Sequence, residues 1–101
     1  MSEFFENDDG LFEWDESKNQ SNIDKHGISF HEARSVFYDN DAVIIPDITH
    51  SYGEERFMII GISSKSNLLT VCHCERQHGE ITRIISARKA TNIERSLYRG
   101  Y

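Results

Sequence analysis

Apolar and polar positions along the chain change their period several times, and each change marks an element. Residues 1–11 (MSEFFENDDGL) keep no sustained period, are acidic and end near Gly10, so they read as a mobile leader. Phe12-Glu13-Trp14 alternates as a short strand, and Asp15 suits the N-cap of a polar helix over residues 16–26 that Gly27 stops. Ser29-Phe30-His31-Glu32 fits a capping box, and the helix it opens places Phe30, Ala33 and Phe37 on one stripe. Four short strands are predicted at residues 42–45, 56–62, 68–76 and 81–88, with Pro46 closing the first. Thr91-Asn92-Ile93-Glu94 is a second capping box, and Ile93, Leu97 and Tyr101 are spaced to face a sheet. The order β-α-α-β-β-β-β-α predicts one α+β domain over residues 12–101. In it an antiparallel meander follows two N-terminal helices and precedes one C-terminal helix.

Loop lengths predict the register. His78-Gly79 reads as a two-residue hairpin loop, and so does Lys65-Ser66. Carried along the strands, these turns put Arg56, Met58, Leu69, Val71, His73, Glu75, Thr82, Ile84, Ser86 and Arg88 on one face. Arg56 then faces Glu75, with His73 two residues along. Arg88 faces Leu69, roughly 20 Å from Glu75 at about 3.3 Å per residue. The other face receives Cys72, Cys74, Ile81, Ile85 and Ala87, with Arg76 and Arg83 near the turn.

Composition narrows the class. The chain has 101 residues, 38% of them apolar and 28% charged, as expected of a single soluble domain. No apolar run approaches the ~20 residues of a membrane helix, and the acidic start lacks the basic and apolar regions of a signal peptide. Two cysteines, Cys72 and Cys74, are too few and too close for a disulfide framework, which favours a reduced cytoplasmic protein. The net charge of −6 is divided unevenly: residues 1–16 carry −7, residues 17–75 carry −3, and residues 76–101 carry +4. An almost neutral domain with a basic C-terminal part and an acidic leader does not exclude RNA.

Candidate chemistry follows from the same strands. Cys72-His73-Cys74 is a poor metal site, because a strand turns the imidazole away from both thiols; no cofactor motif is present either. Arg56, His73, Glu75 and Arg88 together offer proton transfer and fixed positive charge. RNA cleavage by its own 2′-OH requires both. The same spacing also suits an ordinary Arg56–Glu75 cross-strand pair worth ~0.2–1 kcal/mol. Lys25-His26-Gly27 reads either as cations favoured at a helix C-terminus or as phosphate contacts.

Several stretches resemble the BrnT toxin family over about residues 12–98. They are Phe12-Glu13-Trp14-Asp15, Lys18, Asn22, Lys25-His26-Gly27, Ser29-Phe30 and Glu32-Ala33, then Glu55-Arg56-Phe57, Ile60-Gly61, His73-x-Glu75-Arg76, the run from Arg83 to Ala90, Glu94 and Tyr98. The resemblance implies a RelE-like fold and a type II toxin that acts as a metal-independent endoribonuclease and inhibits translation. It implies a BrnA-like ribbon-helix-helix antitoxin as partner, with operator DNA bound only through that antitoxin, and higher-order toxin–antitoxin complexes. Arg88 and Arg76 would stabilise the phosphorane, His73 and Glu75 would share acid–base work, and Lys25, His26, Arg56 and Arg83 would hold the RNA. The competing expectation is a catalytically silent antitoxin-binding module that serves as operon co-repressor.

Overall fold

The computed structural model describes residues 2–7, 10–47 and 55–98, with residues 2–7 and 10 described by their backbone alone. The acid-rich segment Ser2–Asn7 forms β1, which pairs antiparallel with β2 (Gly10–Asp15) from Ser2↔Asp15 to Asn7↔Gly10. Ser2–Asn7, within the segment expected to be a mobile leader, thus adds a strand to the sheet.

Helix α1 (Glu16–His26) begins where Asp15 Oδ1 accepts from the Ser17 and Lys18 N–H groups at 2.8 and 3.4 Å. It ends where Gly27, at φ 71°, returns its N–H to the Ile23 carbonyl. Helix α2 (Phe30–Ser35) continues into a 3₁₀ turn, Val36–Tyr38. Strands β3 (Val43–Pro46), β4 (Arg56–Ile62), β5 (Leu68–Arg76) and β6 (Ile81–Lys89) lead to helix α3 (Asn92–Leu97). Among the described residues, six strands form one sheet in the order β1-β2-β6-β5-β4-β3, and β2 with β6 is its only parallel pair. So much chain separates β2 from β6 that they can run parallel, which a tight turn forbids.

Helices α1 and α2 cover one sheet face. Trp14, Phe30, Ala33, Val36, Leu69, Val71 and Ala87 are fully buried there, and Trp14 meets Phe30 edge to face at 6.0 Å. Asn22 pins α1 to this layer: its Nδ2 donates to the Ile28 and Ala87 carbonyls, both at 2.8 Å, and its Oδ1 accepts from the Ala87 N–H at 3.1 Å. Asn22→Ala is therefore expected to cost about 3 kcal/mol, since three buried backbone groups lose their partner. Urea unfolding monitored by circular dichroism measures that loss.

Gly61 marks another close approach. A Cβ there would stand 3.0 Å from Ala42 Cβ and from Val36 Cγ1, where β4 passes the 3₁₀ turn.

Helix α3 covers the far end of the opposite face, over a second cluster of Ile60, Leu68 and Tyr98. Here the expected stripe is corrected. Ile93 is 76% exposed and Leu97 45% exposed, while Glu94 and Tyr98 are buried. The helix is turned by one residue, about 100°, because Glu94 is held at the sheet by Arg88 and Thr70 and the Tyr98 hydroxyl donates to Asp39. Tyr101 lies outside the described residues.

Two registers also depart from expectation. The β4–β5 loop has three residues between Ser63 and Asn67 rather than two between Ser64 and Asn67; Ser63 N–H donates to Asn67 O at 2.8 Å, and Ser66 takes φ 63°. Helix α2 fixes these loop ends. Ser29 caps the Glu32 N–H, but the Glu32 carboxylate turns away from the cap and accepts from Ser63 Oγ at 2.7 Å and Asn67 Nδ2 at 2.8 Å. The shift sets Arg56 opposite Cys74, not Glu75. On the other side of β5 the expected register holds from Arg76↔Ile81 to His73↔Ile84, then a bulge leaves Ile85 without an opposite residue. Beyond it Cys72 faces Ser86 and Thr70 faces Arg88, so Arg88 is not opposite Leu69.

Candidate functional site

Both register changes turn an arginine over. The shifted loop carries Arg56, and the bulge carries Ser86 and Arg88, onto the face away from α1 and α2; Ala87 moves to the core face. Arg56, Arg88, Thr70, Cys72, Ser86, Met58, Ile85 and Asp47 line one cleft of about 380 Å³ on that face. Two cations, a carboxylate and two hydroxyls thus converge on a concave surface. Such a surface has the charge and the hydrogen-bond donors that a phosphodiester requires.

Arg88 is held by a carboxylate at the end of the cleft. Its Nη1 and Nη2 donate to the two oxygens of Glu94 at 2.6 and 2.9 Å. That pairing pulls Glu94 down to about 2 and raises Arg88 above its ordinary value. Cys72 donates to Asp47 Oδ2 at 3.7 Å. Burial, then the Asp47 charge, push its thiol up to about 11, so it stays protonated at neutral pH.

Toward the hairpin the same face carries Arg76 and Arg83. Both approach Glu13 Oε1, at 3.0 and 3.1 Å; the carboxylate is buried, whereas the Arg76 side chain is 53% exposed. Arg56, Cys74 and Arg83 stand in one cross-strand row that ends on Glu13. Arg76 and Arg83 therefore share a face with Arg56 and Arg88, which the two-residue loops do not allow. Glu13 was missed in the sequence because it sits inside an apolar strand motif; its position between two aromatic core residues is the signal that places it on the open face.

On the far side of the cleft, Ile85 and Ser86 also line a smaller depression of about 200 Å³ with Lys18, Ser21, Asn22, Lys25 and His26. The basic end of α1 thus adjoins the arginine cleft across β6.

His73 and Glu75 are not brought to this site. His73 lies on the helix-covered face, 3% exposed, stacked on Phe57 at 5.8 Å and edge-on to Phe37 at 4.9 Å. Glu75 is exposed near the hairpin, opposite Thr82. The single face expected for Arg56, His73, Glu75 and Arg88 is corrected: arginines on one side, His73 and Glu75 on the other. The cause is the odd one-residue displacement at each register change, which reverses inward and outward positions.

Burial holds His73 below its ordinary value, so the folded protein disfavours the imidazolium. Protons then bind the unfolded chain preferentially. Stability is expected to be fully present above about pH 6.5 and to decline as pH falls below it, by at most about 1.4 kcal/mol per pH unit. Asp15, Asp39 and Glu94 sit below their ordinary values and act only at lower pH. Urea midpoints at about pH 7.5 and about pH 5.5 test this, and His73→Leu should flatten the difference.

The fold and cleft define the class: a small α+β domain with an arginine-lined cleft of about 380 Å³ on the open face of its sheet. Residues 14–94 match the family model described as the ribonuclease toxin BrnT of type II toxin–antitoxin systems. The chain belongs to the BrnT family of ribonuclease toxins. Its structure is similar to the 1.1 Å crystal structure of the Brucella abortus ribonuclease toxin BrnT, with TM-score 0.59 and 28% identity over 78% of this chain and 94% of that one. No curated protein matches the chain. Among the described residues, no helix is long and apolar enough to cross a membrane.

Proposed function

We propose that the chain is a metal-independent endoribonuclease whose reaction centre is the cleft between Arg56 and Arg88. The observation that carries this reading is the convergence of two arginines, Asp47, Thr70 and Ser86 on one concave surface of a ribonuclease-toxin domain. Asp47 takes the proton of the RNA 2′-OH, the 2′-oxygen forms its bond to phosphorus, and the bond to the 5′-oxygen breaks. Arg56 and Arg88 offset the charge that builds on the phosphorane oxygens, and the leaving oxygen is protonated from solvent. Lys25 and His26, with Arg76 and Arg83, hold the strand on either side.

The test is end-group analysis of RNA cut by the pure protein. Fragments with a 2′,3′-cyclic phosphate and a 5′-OH, formed equally in EDTA and lost when the target nucleotide is 2′-deoxy, are expected. Hydrolysis that leaves a 5′-phosphate, or dependence on a divalent cation, refutes the mechanism. If free RNA is untouched but message is cut in a translating extract, the enzyme requires the ribosome.

Translation inhibition in cells and neutralisation by a ribbon-helix-helix antitoxin of the BrnA type complete the proposal. Growth arrest on induction, relieved by co-expression of the adjacent gene, is the expected result. Operator binding without arrest points instead to the silent co-repressor.

A further inference from the structure

The end of Arg88 is already occupied within the protein. Glu94 takes the Nη1–Nη2 edge of the guanidinium with both oxygens, at 2.6 and 2.9 Å, and Oε1 also accepts from Thr70 Oγ1 at 2.9 Å and from the Thr91 N–H at 2.8 Å. Thr70 stands directly across from Arg88 in the β5–β6 ladder, so the three groups close a ring at the end of the cleft. A guanidinium has a second bidentate edge, formed by Nε and Nη2. Among the described residues that edge of Arg88 has no acceptor: the remaining contact, Nη1 to Lys89 O, is long at 3.5 Å.

The carboxylate that holds Arg88 is itself fixed from elsewhere. Glu94 closes the capping box of α3 with Thr91. Helix α3 is tied down by buried Tyr98 against Ile60 and Leu68, by the Tyr98–Asp39 hydrogen bond, and by Ala90 N–H donating to Leu68 O at 3.0 Å. A capping glutamate needs only to reach the backbone of its own N-cap; this one is also turned onto the sheet, 8% exposed.

We propose that Glu94 is a positioning residue, which grips the outer edge of Arg88 so that its Nε–Nη2 edge is presented to the RNA phosphate in the cleft. This rests on reading the cleft as the RNA site. Without Glu94 the long arginine side chain samples several rotamers, and the edge that meets phosphate is no longer pre-aimed.

Three variants of the full chain separate positioning from structural support. Glu94→Gln keeps an oxygen for Thr70 and Thr91 but turns an amide donor toward Arg88. Thr91→Ala removes the N-cap and leaves the Arg88 grip. Thr70→Val removes one bond to Glu94 and serves in place of Glu94→Gln if that variant does not fold. Glu94→Gln is expected to lower kcat on a labelled RNA on the order of 10²-fold with KM within about threefold, and Thr91→Ala to stay within about threefold in both. Guanidinium ion should restore part of the rate of Arg88→Ala, and none of it to the Arg88→Ala, Glu94→Gln double variant.

A second measurement needs no cleavage. In ¹⁵N spectra the Arg88 Nε–H signal should be sharp in the wild type and in Thr91→Ala, and broadened in Glu94→Gln. Equal loss in Glu94→Gln and Thr91→Ala, equal guanidinium rescue of single and double variants, or an unchanged Nε–H signal overturns the proposal. If the wild type cuts neither free RNA nor message in a translating extract while the Nε–H signal responds as expected, the RNA reading fails and the positioning of Arg88 stands.

Discussion

Arg88→Ala is expected to lower the rate of RNA cleavage about 10²- to 10³-fold, the loss seen when one pre-aimed donor is taken from a developing oxyanion. Arg56→Ala should fall in the same range, because the two guanidiniums line the same cleft and act on the same phosphate. The informative comparison is Arg88→Lys. Lysine keeps the charge but has no fork to be gripped by Glu94 and no second edge for phosphate, so most of the loss should persist. His73→Leu is the counter-test. His73 is enclosed by Phe37 and Phe57 on the other side of the sheet, so cleavage per folded molecule should remain within about threefold. Steady-state rates on one labelled RNA decide all four. A His73→Leu variant as weak as Arg88→Ala would return the reaction to the other face.

The largest expected effect on stability is at Trp14. Its side chain is fully buried, meets Phe30 edge to face at 6.0 Å and His31 at 4.9 Å, and donates its indole N–H to Glu16 Oε2 at 3.2 Å. Trp14→Ala should cost about 3–5 kcal/mol, from lost apolar burial and from a cavity that the rigid sheet cannot close. A domain of this size has roughly 5–15 kcal/mol in total, so about a fifth of its stability or more would go. The urea midpoint should fall sharply with little change in slope. A loss below about 1 kcal/mol would mean that the layer between α1, α2 and the sheet is packed far more loosely than its burial implies.

Local features were legible in the sequence because they depend on neighbours. Asp15 and Gly27 bound α1, and Thr91 with Glu94 forms both halves of its capping box. The spans of β4 and β5 agree to the residue. The family was legible too, since the motifs that carry it are short stretches of contiguous residues matched over residues 14–94. Features that depend on a distant partner were not. Glu32 has the sequence of a capping-box glutamate, yet Ser63 and Asn67, about thirty residues on, draw its carboxylate away. Ile93 and Leu97 have helix-stripe spacing, yet the grip of Arg88 and Thr70 on Glu94 turns α3 and leaves them exposed.

The site shows the division most clearly. The sequence alone determined that this chain carries arginines at positions 56, 76, 83 and 88 on strands of one sheet, and that a ribonuclease-toxin reading suits them. Which of them meet was decided only in the tertiary structure, by one extra residue in the loop after Ser63 and one bulged residue at Ile85. Side chains on a strand alternate with period two, so each single insertion reverses every assignment beyond it. Two such reversals moved Arg56 and Arg88 together to the open face and left His73 in the core.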